Sequence, residues 1–241
     1  MEPPRVLISA LRDSSRTVVL TGSGISAESG VPTFREAQTG LWERFDPQEL
    51  ATPEAFARDP RLVWDWYAWR RKLVAEARPN PGHLAIAEMQ HLVQSLTLVT
   101  QNVDGLHQRA GSRDVIELHG NIRRTKCPVE GTTVDNYDES ESPPLCPSCG
   151  APLRPDVVWF GEMLPAEAIE AASEAALGAD VFLSVGTSSL VYPAAGLPFE
   201  AVENGATLVE VNPETTPLTP RADYTLHGPA GDVLPRLIRE L

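Results

Sequence analysis

Positive charge, cysteine and long apolar runs are scarce in this sequence. Its 241 residues carry 33 Asp and Glu against 20 Lys and Arg, a formal charge of -13. A surface of that sign repels nucleic acid and anionic membranes, so neither is an expected partner. Lys72 and Lys126 are the only lysines, a bias toward arginine. The three cysteines, Cys127, Cys146 and Cys149, are too few and odd in number for a disulfide framework, and they suit a reducing cytoplasm. No apolar run reaches bilayer length. The start, Met1-Glu2-Pro3-Pro4, lacks the basic and apolar regions of a secretion signal. There is no internal repeat and no low-complexity tail. With 42% hydrophobic residues, the chain can build the core of one domain, or of one domain with a small insert.

What is present is alternation. Val6, Leu7, Ala10 and Leu11 share a helical face that should pack on a sheet. Apolar runs at 18–20, 96–100, 115–118, 181–185 and 207–211 read as buried strands, with a short last one at 224–226. Asp59-Pro60 starts a helix, a capping carboxylate followed by proline at the first position. That helix runs to about Ala77, with Leu62, Trp66, Trp69 and Leu73 as its core face. Residues 78–82 break it, and a further helix runs from His83 to about Leu92. An alanine-rich helix spans 166–177 and a closing helix spans 233–241. Residues 34–53 have no clean period and read as a mobile loop with short turns. Residues 123–154, rich in acids and proline, form an insert. Strands alternating with helices imply a parallel sheet with right-handed crossovers.

The chain is organised around Gly22 to Arg35. The strand at Val18-Val19-Leu20 ends in Gly22 and Gly24, with Ala27 three residues later. Such a turn lets bare backbone approach a pyrophosphate at a helix N-terminus, although any tight strand-to-helix turn wants glycine. The continuation is more specific. Ser26, Glu28 and Ser29 put hydroxyls and a carboxylate in the first helical turns. Pro32 then stops the helix, and Thr33, Phe34 and Arg35 follow on a loop. The stretch resembles the signature of the sirtuins, NAD-dependent protein deacylases, in which Gly-Ala-Gly-Ile-Ser runs into Gly-Ile-Pro-x-Phe-Arg. The departures are Ser23 for alanine and Val31 for isoleucine, both small changes.

Other motifs extend the resemblance over almost the whole chain, most weakly in 123–145. Gln101-Asn102-Val103-Asp104 follows a strand, where ligands bind in parallel sheets and where an Asx turn is also common. It matches the family's Gln-Asn-x-Asp element. His119-Gly120 ends a strand in Glu117-Leu118-His119-Gly120; a histidine there can take a proton from a sugar hydroxyl, or can simply close the strand. It matches the family's catalytic Leu-His-Gly. His83, His91, His107 and His227 have no such support and are read as structural. Gly186-Thr187-Ser188 and Asn212 follow strands, and Ala230 lies in Gly228-Pro229-Ala230.

The resemblance implies a Rossmann-like parallel sheet with helices on both faces, about 1–33, 84–122 and 155–241. A small lobe would be made of inserts at about 34–83 and 123–154. It implies NAD contacts at Gly22, Ser23, Gly24, Ile25, Ser26, Glu28, Pro32, Thr33, Phe34, Arg35, Gln101, Asn102, Val103, Asp104, Gly186, Thr187, Ser188, Asn212 and Ala230. His119 would be the general base, Asn102 would orient ribose and Asp104 would meet the nicotinamide carboxamide. The acyl oxygen of a modified lysine would displace nicotinamide, and the acyl group would pass to ADP-ribose. Val158-Trp159-Phe160-Gly161-Glu162 looks like the family's peptide-binding strand, which would hold substrate by main-chain bonds. The substrates implied are acyl-lysine proteins or peptides, taken by a monomer.

Two features bear on metal and on substrate choice. Sirtuins hold a structural zinc with two Cys-x-x-Cys pairs. Here Cys146 and Cys149 form one pair, while Cys127 is followed by Glu130 in place of a fourth cysteine. Three thiolates and a carboxylate can bind zinc, although structural sites favour sulfur and nitrogen, so the fourth ligand stays open. Tyr67 and Arg70 are three apart and share a helical face. A phenol beside a guanidinium is a carboxylate receptor, or a surface tyrosine packed on an arginine. The branch of the family that removes succinyl and malonyl groups has this Tyr-x-x-Arg pair and a small alanine, which Ala51 matches. The expected activity is lysine desuccinylation and demalonylation with deacetylation. A mono-ADP-ribosyltransferase and a non-catalytic NAD sensor are the other classes left open.

Overall fold

A computed structural model describes residues 3–32 and 46–241. In chain order the first elements are α1 (Arg5–Asp13), β1 (Thr17–Thr21), α2 (Ser23–Ala27), α3 (Pro47–Leu50), α4 (Pro53–Arg58), α5 (Pro60–Glu76) and α6 (Pro81–Leu92). There follow β2 (Leu96–Thr100), α7 (Leu106–Arg109), β3 (Ile116–Glu117), β4 (Gly120–Lys126), β5 (Arg154–Val157) and α8 (Ala166–Leu177). The last are β6 (Val181–Val185), α9 (Leu197–Glu203), β7 (Thr207–Asn212), β8 (Tyr224–His227) and α10 (Ala230–Arg239).

Six strands form one parallel sheet in the order β3-β2-β1-β6-β7-β8. The chain runs outward from β1 to β3, returns to the middle at β6, and then runs outward the other way. The strand order therefore reverses between β1 and β6. In an open parallel sheet, the crevice beyond the strand ends at that reversal is where ligands bind. Side chains alternate across the sheet. Val19, Leu183 and Val209 face a core closed by α1, α6 and α10, while Leu20, Phe182 and Leu208 face one closed by α8 and α9. Both faces are covered, which is why these strands read as continuous apolar runs.

The two remaining strands, β4 and β5, pair antiparallel. They pack with α3, α4 and α5 in a third cluster, where Ile122, Val157 and Trp159 meet Leu50, Ala51, Phe56, Trp66 and Tyr67. Arg71 fastens α5 to β4: its Nε donates to the Ile122 carbonyl at 2.7 Å, and its Nη2 donates to the Arg124 carbonyl and Thr125 Oγ1. At the start of α5, Asp59 Oδ1 accepts the Leu62 N–H at 3.0 Å. A cap of that kind is worth about 1 kcal/mol.

Several expectations need correction. In α1 the buried face is Leu7, Ile8 and Leu11, while Val6 is exposed. The buried face of α5 is Val63, Trp64, Trp66, Tyr67 and Val74; Leu62, Trp69 and Leu73 are only half-buried. In both helices the packing layer covers an arc rotated from the one that periodicity marks. Of the expected loop with short turns at 34–53, residues 34–45 lie outside the described ones; the rest holds the single turn of α3 and the start of α4, where Thr52 Oγ1 accepts the Ala55 N–H. The third strand shrinks to two residues at the sheet edge. No helix among the described residues is long and apolar enough to cross a membrane.

Candidate active site

The glycine turn sits at the sheet's reversal point. Gly22 N–H donates to the Val185 carbonyl at 3.1 Å, and Gly24 N–H to the Gly186 carbonyl at 2.9 Å. A Cβ on Gly22 or on Gly24 would stand 2.8 Å from the Gly186 carbonyl oxygen. The two glycines are thus required by the close approach of the β1 and β6 loops. No side chain caps α2, whose N-terminus begins at Gly22. Gly186 itself has φ +60°. Thr187 is buried, and its carbonyl accepts from Asn212 Nδ2 at 2.7 Å, which ties the end of β7 to the same loop. Ser188 is exposed. Pro32 is half-buried, whereas Thr33, Phe34 and Arg35 lie outside the described residues.

Beneath the turn lies a closed polar network. Asn102 Nδ2 donates to the Gly22 carbonyl at 3.0 Å and to Ser26 Oγ at 3.1 Å. Ser26 Oγ donates to Asp104 Oδ2 at 2.8 Å. His83 Nδ1 faces the Asn80 N–H at 3.4 Å and so carries no proton; its Nε2–H points to Ser26 Oγ at 3.3 Å. Ser26 therefore accepts twice and donates once, and has nothing left for a ligand. Asp104 Oδ1 accepts the Leu106 N–H at 2.9 Å, an Asx turn into α7. Burial raises the Asp104 pKa, against hydrogen bonds that lower it. Asn102 Oδ1 has no hydrogen-bond partner among the described residues. Ile25 is core, and its carbonyl accepts from Asn80 Nδ2 at 2.6 Å. Glu28 Oε2 accepts the Gly231 N–H at 2.8 Å, so its carboxylate holds the start of α10, where Ala230 is buried.

His119 stands past the end of β3. Its Nδ1 is 2.8 Å from the Gln101 carbonyl, an acceptor only, so Nδ1 carries the proton and Nε2 keeps its lone pair. Burial lowers the pKa, opposed by that bond. The ring is thus held neutral in the form that can accept a proton at Nε2. The next residue, Gly120, has φ +77°, and a Cβ there would lie 2.2 Å from the Asp156 carbonyl oxygen. Gln101 N–H in turn donates to Thr21, and the Val103 carbonyl accepts from Ile122, which joins the strand-end loop to β1 and β4.

Residues 158–162 are not a strand as expected: Val158 and Trp159 are irregular, and the chain turns at 160–161, closed by the Glu162 N–H on the Trp159 carbonyl at 3.0 Å. Glu162 folds back so that Oε2 accepts the Trp159 N–H at 2.7 Å and the Arg154 guanidinium at 2.9 Å. For Glu162, burial raises the pKa, but the Arg154 guanidinium, the Trp159 N–H and Lys126 together outweigh it, and the carboxyl sits below its ordinary value. Val158 N–H donates to the His119 carbonyl and Phe160 N–H to the Ala51 carbonyl, both at 2.9 Å. Gly161 turns at φ +85°. Tyr67 and Ala51 are both buried. Tyr67 Oη accepts from Trp159 Nε1 at 3.0 Å, which leaves the hydroxyl proton to donate elsewhere. Burial raises the Tyr67 pKa, against the lowering pull of Arg70. The Arg70 guanidinium lies 5.7 Å from the Tyr67 ring centroid and 5.0 Å from that of Trp66. Burial lowers its pKa, opposed by Tyr67 and by Asp104, whose field it feels.

The three sulfurs of Cys127, Cys146 and Cys149 all lie within 4.8 Å of one another. Glu130 N–H donates to Cys127 Sγ at 3.4 Å. The core around them is small: Trp64, Leu153 and two of the cysteines themselves. The cluster is compatible with a structural zinc ion, which would cross-link two turns that apolar packing alone holds weakly.

Sequence reasoning passed over Asn80 and treated His83 and His107 as structural. Asn80 bridges Ile25, Ser29 and the start of α6. The Asn-Pro-Gly cap at 80–82 was the available signal. His107 is buried 4.9 Å from His83, ring to ring, and bonds Thr21 Oγ1 through Nε2.

Comparison with known proteins follows the same lines. A family model described as "Sir2 family" matches residues 22–193. The "NAD-dependent protein deacylase 2" of Pyrobaculum aerophilum is 58% identical over 232 residues, covering 96% of this chain and 93% of that protein. The "NAD-dependent protein deacylase" of Aquifex aeolicus is 58% identical over 208 residues, 86% of this chain and 87% of that one. A Sir2 homologue mutant in complex with 2'-O-acetyl ADP ribose superposes with a TM-score of 0.90 at 49% identity, covering 98% of this chain and 96% of that chain. A Sir2 complex with a p53 peptide and NAD+ superposes with a TM-score of 0.86 at 33% identity, covering 98% and 97%.

Proposed function

The chain belongs to the Sir2 family of NAD-dependent protein deacylases, and from that premise we propose that it removes succinyl and malonyl groups, as well as acetyl groups, from lysine side chains. Bound NAD supplies a sugar carbon from which nicotinamide can be displaced and an ADP-ribose that receives the acyl group. The chain's own residues do the rest. The side-chain-free turn at Gly22 and Gly24 admits the phosphates. Asn102, held by its amide nitrogen, presents Oδ1 toward the ribose. His119 Nε2 takes the proton of the ribose hydroxyl, because Nδ1 is committed to the Gln101 carbonyl. The turn at 158–162, joined to Ala51 and to His119, carries the peptide beside the site. The inserts that pack α5 against β4 and β5 act as one lobe. Three thiols and an acidic surface suit a monomer in a reducing cytoplasm.

One observation carries the acyl preference. Tyr67 accepts from Trp159 and so keeps its proton for a donor bond, with the Arg70 cation beside it. A phenol donor and a guanidinium recognise a terminal carboxylate, and acetyl has none to offer. The test is turnover of matched acetyl-, succinyl- and malonyl-lysine peptides by wild type and Arg70→Met, with products weighed. Loss of a charge-assisted pair of about 2–3 kcal/mol should lower succinyl turnover by roughly 30- to 150-fold and leave acetyl turnover within a few-fold. Equal losses on both substrates would remove the acidic-acyl reading. Label from NAD ending on protein would favour ADP-ribosyl transfer instead.

A further inference from the structure

The two turns that carry the thiols are one motif built twice. Cys127-Pro-Val-Glu130-Gly131 and Cys146-Pro-Ser-Cys149-Gly150 each close on a bond from the glycine N–H to the first cysteine's carbonyl, at 2.9 and 2.8 Å. Each glycine is left-handed, with φ 71° and 74°. Cys127 N–H donates to the Thr132 carbonyl, and Cys146 N–H to the Ala151 carbonyl, the same offset in both turns. The flanking bridges repeat too, with Lys126 opposite Thr133 and Leu145 opposite Pro152. The sequence pairs the two turns by spacing alone; the repeated bonds and glycine conformation show that they share one backbone geometry. It sets Glu130 at the position that Cys149 holds in the second turn.

In the second turn that position delivers a sulfur: Cys149 Sγ lies 3.4 Å from Cys127 Sγ. In the first it delivers a carboxylate, with Glu130 Oε2 3.9 Å from Cys146 Sγ. With zinc–sulfur bonds of about 2.3 Å and zinc–oxygen bonds of about 2.0 Å, the edges of a tetrahedral site are roughly 3.5–3.8 Å. Both spacings are close to that. Glu130 is exposed, so its side-chain torsions are free to bring the oxygen the remaining distance to the other sulfurs.

We propose that Glu130 is the fourth ligand of the metal, making the site three thiolates and one carboxylate oxygen. The exchange conserves charge, since a carboxylate and a thiolate each bring one negative charge to the ion. It does not conserve softness. Oxygen binds zinc less well than thiolate where structural sites are concerned, so this site releases its ion more readily than a four-thiolate one would.

The test uses the whole chain, loaded in turn with zinc and with cobalt(II). Glu130→Cys should raise the thiolate-to-cobalt charge-transfer intensity by about one third, the gain of a fourth thiolate, and shift the visible bands toward those of a four-sulfur site. It should also slow zinc release to a chelator by on the order of tenfold or more, and Glu130→Ala should speed release by a similar factor. Glu130→Gln, of the same size, serves if the alanine variant does not fold, and should behave like it. A cobalt spectrum and release rate unchanged in Glu130→Ala or Glu130→Gln would overturn the assignment. A purified wild-type chain that binds neither metal would overturn it as well.

Discussion

At the scale of single residues, the chemistry rests on which atom holds a proton. His119 is a usable base because the Gln101 carbonyl takes its Nδ1–H and burial keeps the ring neutral. His119→Ala should lower acyl transfer by about 10²- to 10⁴-fold, the usual contribution of a general base, with an unchanged circular dichroism spectrum. A fully active variant would sink its assignment. Residue types in the strand-end motifs were legible in the sequence; their partners were not. Glu28 sits in the glycine-turn motif, yet its carboxylate holds the start of α10. Ser26 is saturated by Asn102, His83 and Asp104. Such side chains position the turn from behind, which no neighbour in sequence could announce.

At the scale of elements, the β4–β5 pair links the cysteine turns to His119. β4 begins at Gly120, directly after His119, and Gly120 is the register partner of Val157. A Cβ at Gly120 would meet the Asp156 carbonyl oxygen at 2.2 Å, and the residue already needs φ +77°. Gly120→Ala should therefore cost upwards of about 2 kcal/mol and displace His119, lowering both Tm and turnover. Gly111→Ala supplies the comparison: it also has positive φ but open space around it, so it carries the backbone strain alone, on the order of 1–2 kcal/mol, and should lose less than Gly120→Ala, which adds the clash. Equal Tm losses in the two variants would show that the strand crossing is not what demands glycine. Helix boundaries were legible where a cap marks them, as at Asp59-Pro60. Helix faces were less so: α1 buries Ile8 in place of Val6, because apolar side chains on both flanks of a stripe compete for one layer. The segment 158–162 reads as a strand in sequence, whereas in the fold Glu162 turns back on Trp159.

At the scale of the whole molecule, two buried histidines couple the fold to pH. Burial pushes the His83 pKa down to about 4 and the His107 pKa down to about 3, the latter helped by its neighbour. An unfolded histidine titrates near 6.5, so below that pH the unfolded chain binds more protons than the native one. Stability is then fully present above about pH 6.5 and falls toward pH 4, by up to about 1.4 kcal/mol per pH unit for each histidine. Asp104, raised by burial, has the opposite sign: its unfavourable ionisation is relieved as pH falls, which offsets part of the loss. Urea midpoints at pH 7.5, 6.5 and 5.0 should be level across the first interval and drop over the second. A flat profile would contradict the neutral state of the pair. The sequence by itself determined the strands, most helix ends and the glycine turn, because apolar runs, caps and bare backbone act over a few residues. Only the tertiary structure decided that β1 lies beside β6, that Ser26, His83, Asn102 and Asp104 converge, and that the Glu130 carboxylate stands near Cys146 Sγ. Those are contacts between distant segments, and a contact between distant segments leaves no local pattern in either one.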